Sequence, residues 1–131
     1  MTRNPRTVNA GDPLVEAARI MNDGDIGDVI VVDEGTVEGI VTDRDIVVRG
    51  VAGGRDPEST TVREVCTTGI DVLEPGATVD DALRKMREAD IRRLPVVQGG
   101  RPVGIVSLGD LAVEREPDST LADISAASPD Q

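Results

Sequence analysis

Shifted against itself by 65 residues, the chain matches without a gap. Gly11 falls on Gly76, Ala17 on Ala82, Met21 on Met86, Asp25-Ile26 on Asp90-Ile91, Val31-Val32 on Val96-Val97, Gly39-Ile40-Val41 on Gly104-Ile105-Val106 and Asp45 on Asp110. Between 7–49 and 72–114, 14 of 43 positions are identical. A bias toward Val and Asp raises background similarity but cannot hold one gapless register, so the chain is a duplication. Its 131 residues fit one compact domain, or two small halves sharing one core. A shorter echo relates Asp56–Val65 to Glu116–Ser125. The first copy leads into repeat two, and nothing repeat-like follows the second. The echo therefore predicts that the C-terminal segment folds back to cover the vacant place beside repeat one.

The residues that are missing exclude several chemistries. There is no His and only one Cys, Cys66. A zinc site of four nitrogen or sulfur ligands cannot be assembled, and no imidazole base exists to activate a Ser or Cys nucleophile. Fourteen basic side chains against 25 acidic ones leave a net charge of −11, with no aromatic residue. Neither a basic patch nor a stacking platform is available, which argues against nucleic acid and anionic membranes as partners. No apolar run approaches the roughly 18 residues of a membrane span, and no signal-like segment opens the chain. A lone thiol fits a reducing compartment, so the cytoplasm is the expected location. The core must be built from Val, Ile, Leu, Ala and Met.

Each repeat reads β-α-β-β-α, a mixed α/β (α+β) pattern. A short extended piece (Thr7–Asn9; Asp71–Glu74) closes at Gly11 or Gly76. A helix follows, with Asp12-Pro13 or Thr78 as its start signal and Leu14, Ala17, Ala18 and Met21, or Val79, Ala82, Leu83 and Met86, at helical spacing. Two β-branched runs then flank a tight turn: Val29–Val32 and Val37–Val41, then Leu94–Val97 and Val103–Val106. A second helix is expected from Thr42 or Ser107. The chain divides into repeat one (1–55), a linker with a short helix (56–66), repeat two (67–115) and a C-terminal helix and tail (116–131). Cys66 stands where Met1 stands in repeat one, and reads as a small core residue.

The strongest local signal is Gly39-Ile40-Val41-Thr42-Asp43-Arg44-Asp45, matched by Gly104-Ile105-Val106-Ser107-Leu108-Gly109-Asp110. One reading is a capping box, the hydroxyl and the Asp three residues on tying down the helix start. A second uses the same atoms for a ligand. Free N–H groups at a helix start favour phosphate, the Asp can accept from a ribose diol, and the Gly lets a ligand approach the strand. The two readings can coexist.

With Arg92-Arg93-Leu94-Pro95-Val96-Val97 and the paired motifs, residues 1–124 resemble a tandem pair of CBS domains, the family named after cystathionine β-synthase. The resemblance implies a Bateman module, two repeats packed sheet to sheet about a pseudo-twofold axis, with ligand clefts between them. It implies a non-catalytic regulatory role and an adenosine-containing ligand: AMP, ADP, ATP or S-adenosylmethionine. Asp45 and Asp110 would hold ribose hydroxyls and Thr42 and Ser107 would touch phosphate. Val29-Ile30, Leu94-Pro95, Ile40 and Ile105 would border the base, and backbone around Pro5-Arg6 and Ile70-Asp71 would meet the adenine edge. With no ring to stack on, adenine would lie between aliphatic side chains such as Ile70, Val96 and Ile105, giving micromolar affinity.

The two copies are unequal. Asp28 stands where repeat two has Arg93, so phosphate is expected to prefer the Ser107, Asp110, Arg93 site; Arg44, beside Thr42, partly offsets this. Val47, Val48 and Val51, or Leu111, Ala112 and Val113, offer more apolar surface than one core contact uses, which predicts a homodimer. The reading is thus a nucleotide sensor signalling to a partner protein. The alternative is a ligand-free interaction scaffold with degenerate clefts.

Overall fold

In the computed structural model, residues 1–112, 120 and 121 are described. In chain order the elements are β1 (Thr2–Arg3), β2 (Thr7–Asn9), α1 (Leu14–Gly24), β3 (Asp28–Asp33), β4 (Thr36–Thr42), α2 (Asp43–Asp45), a π-helical stretch (Ile46–Val51), α3 (Val62–Val65), β5 (Thr67–Thr68), α4 (Val79–Ala89), β6 (Arg93–Gln98), β7 (Arg101–Ser107) and α5 (Leu108–Ala112). The duplication is reproduced element by element: β1 and β5, α1 and α4, β3 and β6, and β4 and β7 each begin 65 residues apart. The fold is α+β, with tandem β-α-β-β-α repeats.

The hairpins form where the β-branched runs place them. Each turns on two residues with positive φ, Glu34 (51°) with Gly35 (82°), and Gly99 (59°) with Gly100 (82°). Two successive left-handed residues make the turn whose twist matches the strands. Both hairpins carry a register shift at the same place, between Val31 and Val32 and between Val96 and Val97. The first helices end alike, on Asp25 and Asp90 in the left-handed region.

Their starts differ. Thr78 caps α4 with a reciprocal box: its hydroxyl accepts from Asp81 N at 3.0 Å and Asp81 Oδ2 accepts from Thr78 N at 3.1 Å. Asp12 does not cap α1. Its carboxylate accepts from Asn9 N at 3.2 Å, within the turn that precedes the helix, and Pro13 takes the cap position without a side-chain bond. The second helix of repeat one is also not regular. After one α turn it widens to π geometry, with Ala52 N donating to Val47 O at 2.8 Å and Arg55 N to Gly50 O at 3.0 Å. Gly50 is buried there against Leu14, in a space a Cβ would overfill.

The two sheets are completed by exchange. One sheet has the order β2-β3-β4-β5, the other β1-β7-β6. Thr67 and Thr68, the lead-in to repeat two, pair antiparallel with Ile40 and Gly39 of repeat one. Thr2 and Arg3, the lead-in to repeat one, pair with Ile105 and Gly104 of repeat two. Packing follows pairing. Cys66 lies in a core with Val8, Ala17, Met21, Val29, Val41 and Val62, whereas Met1 lies in a core with Leu73, Val79, Met86, Leu94, Val106 and Leu121. By contact the described residues form two compact units, Arg6–Ile70 in one and Met1–Pro5 with the described residues from Asp71 onward in the other.

The cover over repeat one is therefore not the C-terminal segment. Residues 57–65 provide it: Leu14 N donates to Thr60 O at 2.8 Å, Val15 N to Pro57 O at 2.9 Å, and Val62 is fully buried. The echo of that segment serves repeat two, where Leu121 N donates to Ala77 O at 3.0 Å and Thr120 bridges Thr78. Each cover lies on the repeat just before it in the chain, the shorter connection. The rest of the expected C-terminal helix and tail, with Val113, falls outside the described residues.

Two expected outcomes follow from this packing. A Cβ at Gly39 would collide with the carbonyl oxygen of Thr67 on the exchanged strand, while one at Gly11 would meet nothing. Gly39→Ala should lower stability by about 1–3 kcal/mol in urea titration, with Gly11→Ala close to wild type. The second concerns acid. Backbone hydrogen bonds from Thr78 and Thr61 hold the carboxyls of Asp81 and Glu64 below their ordinary values. A carboxyl with a lowered folded pKa stabilises the fold fully above the ordinary carboxylate range and loses that contribution as pH falls through the folded value. The urea midpoint should therefore drop between neutral pH and pH values below that range. Asp81→Asn combined with Glu64→Gln should flatten the drop.

Candidate ligand site

The site residues converge by strand register. β6 pairs with β7 so that Arg93 lies opposite Ser107 and Pro95 opposite Ile105. Side chains alternate along a strand, and directly opposed residues share a face. Leu94, Val96 and Val106 point into the unit's core, so Arg93, Pro95, Ile105 and Ser107 stand together on the other face. The equivalent face of repeat one carries Asp28 opposite Thr42 and Ile30 opposite Ile40. Leu94 was expected to border a base. Its side chain is fully buried among Val79, Ala82 and Met86, and it has only backbone to offer. Val96 is committed to the core in the same way. Ile70 is half-buried and belongs to the compact unit of repeat one, not to the unit holding Ser107 and Asp110.

Both strand-to-helix junctions are closed by the reciprocal box. Asp45 N donates to Thr42 Oγ1 at 3.0 Å and Thr42 N to Asp45 Oδ2 at 3.0 Å. Asp110 N donates to Ser107 Oγ at 3.0 Å and Ser107 N to Asp110 Oδ2 at 2.9 Å. These bonds satisfy orphan donors at the helix starts, so the motif has a structural role whatever else it does.

The copies then diverge. Thr42 and Asp45 are half-buried, with Asp45 Oδ1 3.9 Å from Arg49 Nε. Arg49 in turn donates to the carbonyls of Val65 (3.3 Å) and Cys66 (3.4 Å), tying the π-helical stretch to the exchanged segment. Arg44 is exposed, and Asp43 Oδ1 accepts from its amide at 2.8 Å. In repeat two Ser107 and Asp110 are buried, 6% and 4% exposed. The Met1 amino group lies 3.7 Å from Asp110 Oδ2. Asp110 Oδ1 is buried with no hydrogen-bond partner among the described residues. Unpaired buried acceptors are rare and costly, on the order of 1–3 kcal/mol.

Two features were not anticipated from sequence. Gly39 was expected to admit a ligand; the space beside it is filled by the Thr67 carbonyl instead. The approach of Met1 to Asp110 follows from the strand exchange. Its only sequence signal is that Met1 and Cys66 are 65 residues apart and both lead into a repeat. Cys66 itself is buried, and burial pushes its thiol above the ordinary value, as befits an inert core residue.

The family model for the CBS domain matches residues 1–50 and 62–115. The chain belongs to the CBS domain family. It is 42% identical over 115 residues to CBS domain-containing protein YhcV of Bacillus subtilis, covering 88% of this chain and 81% of that one. It resembles the crystal structure of Hypoxic Response Protein I with two coordinated zinc ions, with TM-score 0.78 and 34% identity over 86% of this chain and 92% of the other. It also resembles a hexameric CBS-CP12 protein from bloom-forming cyanobacteria, with TM-score 0.75 and 31% identity over 87% of this chain and 64% of the other. CBS-domain pairs are generally regulatory and non-catalytic, and the matches indicate no enzyme family. No helix among the described residues is long and apolar enough to cross a membrane.

The capping role yields its own expectation. Ser107→Ala should lower stability by about 1 kcal/mol in denaturant titration, with or without ligand, and Ser107→Thr should restore most of it.

Proposed function

We propose that this CBS pair is a regulatory module that binds an adenosine-containing ligand (AMP, ADP, ATP or S-adenosylmethionine) and passes its occupancy to a partner protein. The observation that carries the reading is Asp110 Oδ1, a buried carboxylate oxygen with no donor to accept from among the described residues. A ribose hydroxyl is a donor of the right kind. Ser107 and Arg93, opposed across the strand pair, supply a hydroxyl and a cation for phosphate, and Pro95 with Ile105 supplies an apolar wall for the base. In repeat one Asp28 replaces the cation opposite Thr42. At roughly 4–6 Å in a partly dry site, that exchange of sign is worth a few kcal/mol against phosphate. Thr42, Arg44 and Asp45 therefore form the weaker site. Ligand can shift the module only by binding one of its states better than another.

A second reading is a scaffold that binds no ligand. It is favoured by the reciprocal boxes, which already occupy both hydroxyls and one oxygen of each Asp, and by the Met1 amino group beside Asp110. Zinc, which Hypoxic Response Protein I carries, does not fit this donor set. The sequence has no His, its one thiol is buried, and among the described residues no three His, Cys, Asp or Glu converge.

Self-association belongs to the same proposal. Val47, Val48 and Val51 are 58%, 47% and 68% exposed on the π-helical stretch of repeat one, so a homodimer through this face is the expected form. Of the residues expected to form the matching face of repeat two, Leu111 is buried, Ala112 is exposed and Val113 falls outside the described residues.

Binding is tested by titrating AMP, ADP, ATP and S-adenosylmethionine in calorimetry and thermal-shift assays. Micromolar binding is expected, with Asp110→Asn weakened at least about tenfold and Asp45→Asn near wild type. The reverse order overturns the ranking of the sites. A purified sample without 260 nm absorbance, showing no shift with any of the four, leaves the scaffold.

A further inference from the structure

The geometry points to a further small-molecule site, a hollow on repeat two that takes an organic acid: a carboxylate carried on an apolar body of medium length. The hollow has a volume of about 270 Å³ and lies where the end of α4 meets the start of α5. Leu83, Met86, Ile91 and Leu108 give it an apolar lining, and Arg87, Arg92 and Asp90 bring charge to it. It shares no residue with the nucleotide site built on Arg93, Ser107 and Asp110.

Two arginines without an acid are the first argument. Among the described residues the side chains of Arg87 and Arg92 make no hydrogen bond or ion pair. The other cations of α4 are committed: Arg84 Nη2 lies 3.1 Å from Asp81 Oδ1, and Lys85 Nζ donates to Val72 O at 3.0 Å. Acids to pair with are plentiful, since the chain has 25 of them. Two cations against one anion, Asp90, leave the lining positive. A planar guanidinium meets a carboxylate through two parallel hydrogen bonds, which favours an organic acid over a neutral ligand.

Repeat one supplies the comparison. At the matching positions it has Ala18, Met21, Ile26 and Asp43 for the apolar lining, and Asn22, Gly27 and Asp25 for Arg87, Arg92 and Asp90. Asp43 carries its own carboxylate into that place: its Oδ2 is 3.1 Å from where a Cβ on Gly27 would stand. Repeat two has Leu108 instead of that carboxylate, and arginines at the positions of Asn22 and Gly27. One copy holds a carboxylate of its own where the other presents cations to one from outside.

Size sets the class. At about 30 Å³ per water-sized group, the hollow has room for about nine such groups. That is less than a whole nucleotide requires, and it suits an acid of about eight carbons. The chain would lie on Leu83, Met86, Ile91 and Leu108, with the carboxylate at the arginines.

Octanoate is the probe, followed by calorimetry and by the methyl NMR signals of Leu83, Ile91 and Leu108. It should bind once per chain and shift those signals. Octanol has the chain without the charge, and inorganic triphosphate the charge without the chain; each should bind at least about tenfold more weakly. Arg87→Gln combined with Arg92→Gln should weaken octanoate at least about tenfold. Its urea midpoint should match wild type, because neither side chain has a partner to lose. Leu108→Asp, which installs the residue of repeat one, should abolish binding. Should the double variant lose its fold, Leu108→Asp and the octanol comparison still decide. Absence of octanoate binding overturns the site. Octanol or triphosphate binding as tightly as octanoate overturns its chemistry. Methyl signals that follow protein concentration and ignore octanoate overturn it too, since a second copy then fills the hollow. The outcome with adenosine ligands leaves this inference untouched.

Discussion

A two-residue strand laid on the edge of the other repeat's hairpin holds this protein's architecture together. β5 completes the sheet of repeat one and β1 that of repeat two, so neither duplicated segment finishes its own sheet. Much else follows from that placement. The residue ahead of each strand, Met1 or Cys66, is carried into the other repeat's core. Gly39 has to remain a glycine because the incoming Thr67 carbonyl occupies the space of a side chain. Arg49 finds its carbonyl partners on the incoming segment. The Met1 amino group reaches Asp110.

The two halves share a frame and differ in what they place on it. Hairpin turns, register shifts and helix-start boxes recur at matched positions because they satisfy backbone that both copies possess. Positions the frame leaves free have moved apart. Asp28 against Arg93 changes the charge beside the hydroxyl, and Asp43 against Leu108 changes the first residue of the second helix. Ser107 and Asp110 are buried while Thr42 and Asp45 are not. Duplication with divergence of this kind lets one copy specialise without loss of the fold.

What the sequence revealed, and what it hid, follows the range of the forces involved. The hairpins were legible to within a residue or so, because β-branched runs and turn residues are local signals. The reciprocal boxes at Thr42 and Ser107 were legible for the same reason. The strand exchange was not. Thr2 meets Ile105 across most of the chain, and since the lead-ins are copies, pattern alone cannot say which sheet each joins. The π-helical stretch was hidden because Ile46, Val47 and Val48 read as an ordinary helical run; the buried Gly50 against Leu14 was the only cue. Leu94 was misplaced by one step of strand alternation, which settles whether a side chain faces the core or a site. The unpaired oxygen of Asp110 depends on the packing of several segments and leaves no trace in the sequence.

Synthesis on the ribosome gives the exchange a direction in time. Repeat one has its whole sheet in hand once Thr68 has emerged, and can close while the second repeat is still being made. Thr2 and Arg3, made well before the strand they pair with, have to wait for β7, which ends at Ser107. Pairing over so long a span is slow to find and leaves an unpaired edge on a nascent chain. β1 is thus fitted late, after the hairpin whose edge it covers, and Met1 can join the second repeat's core only then.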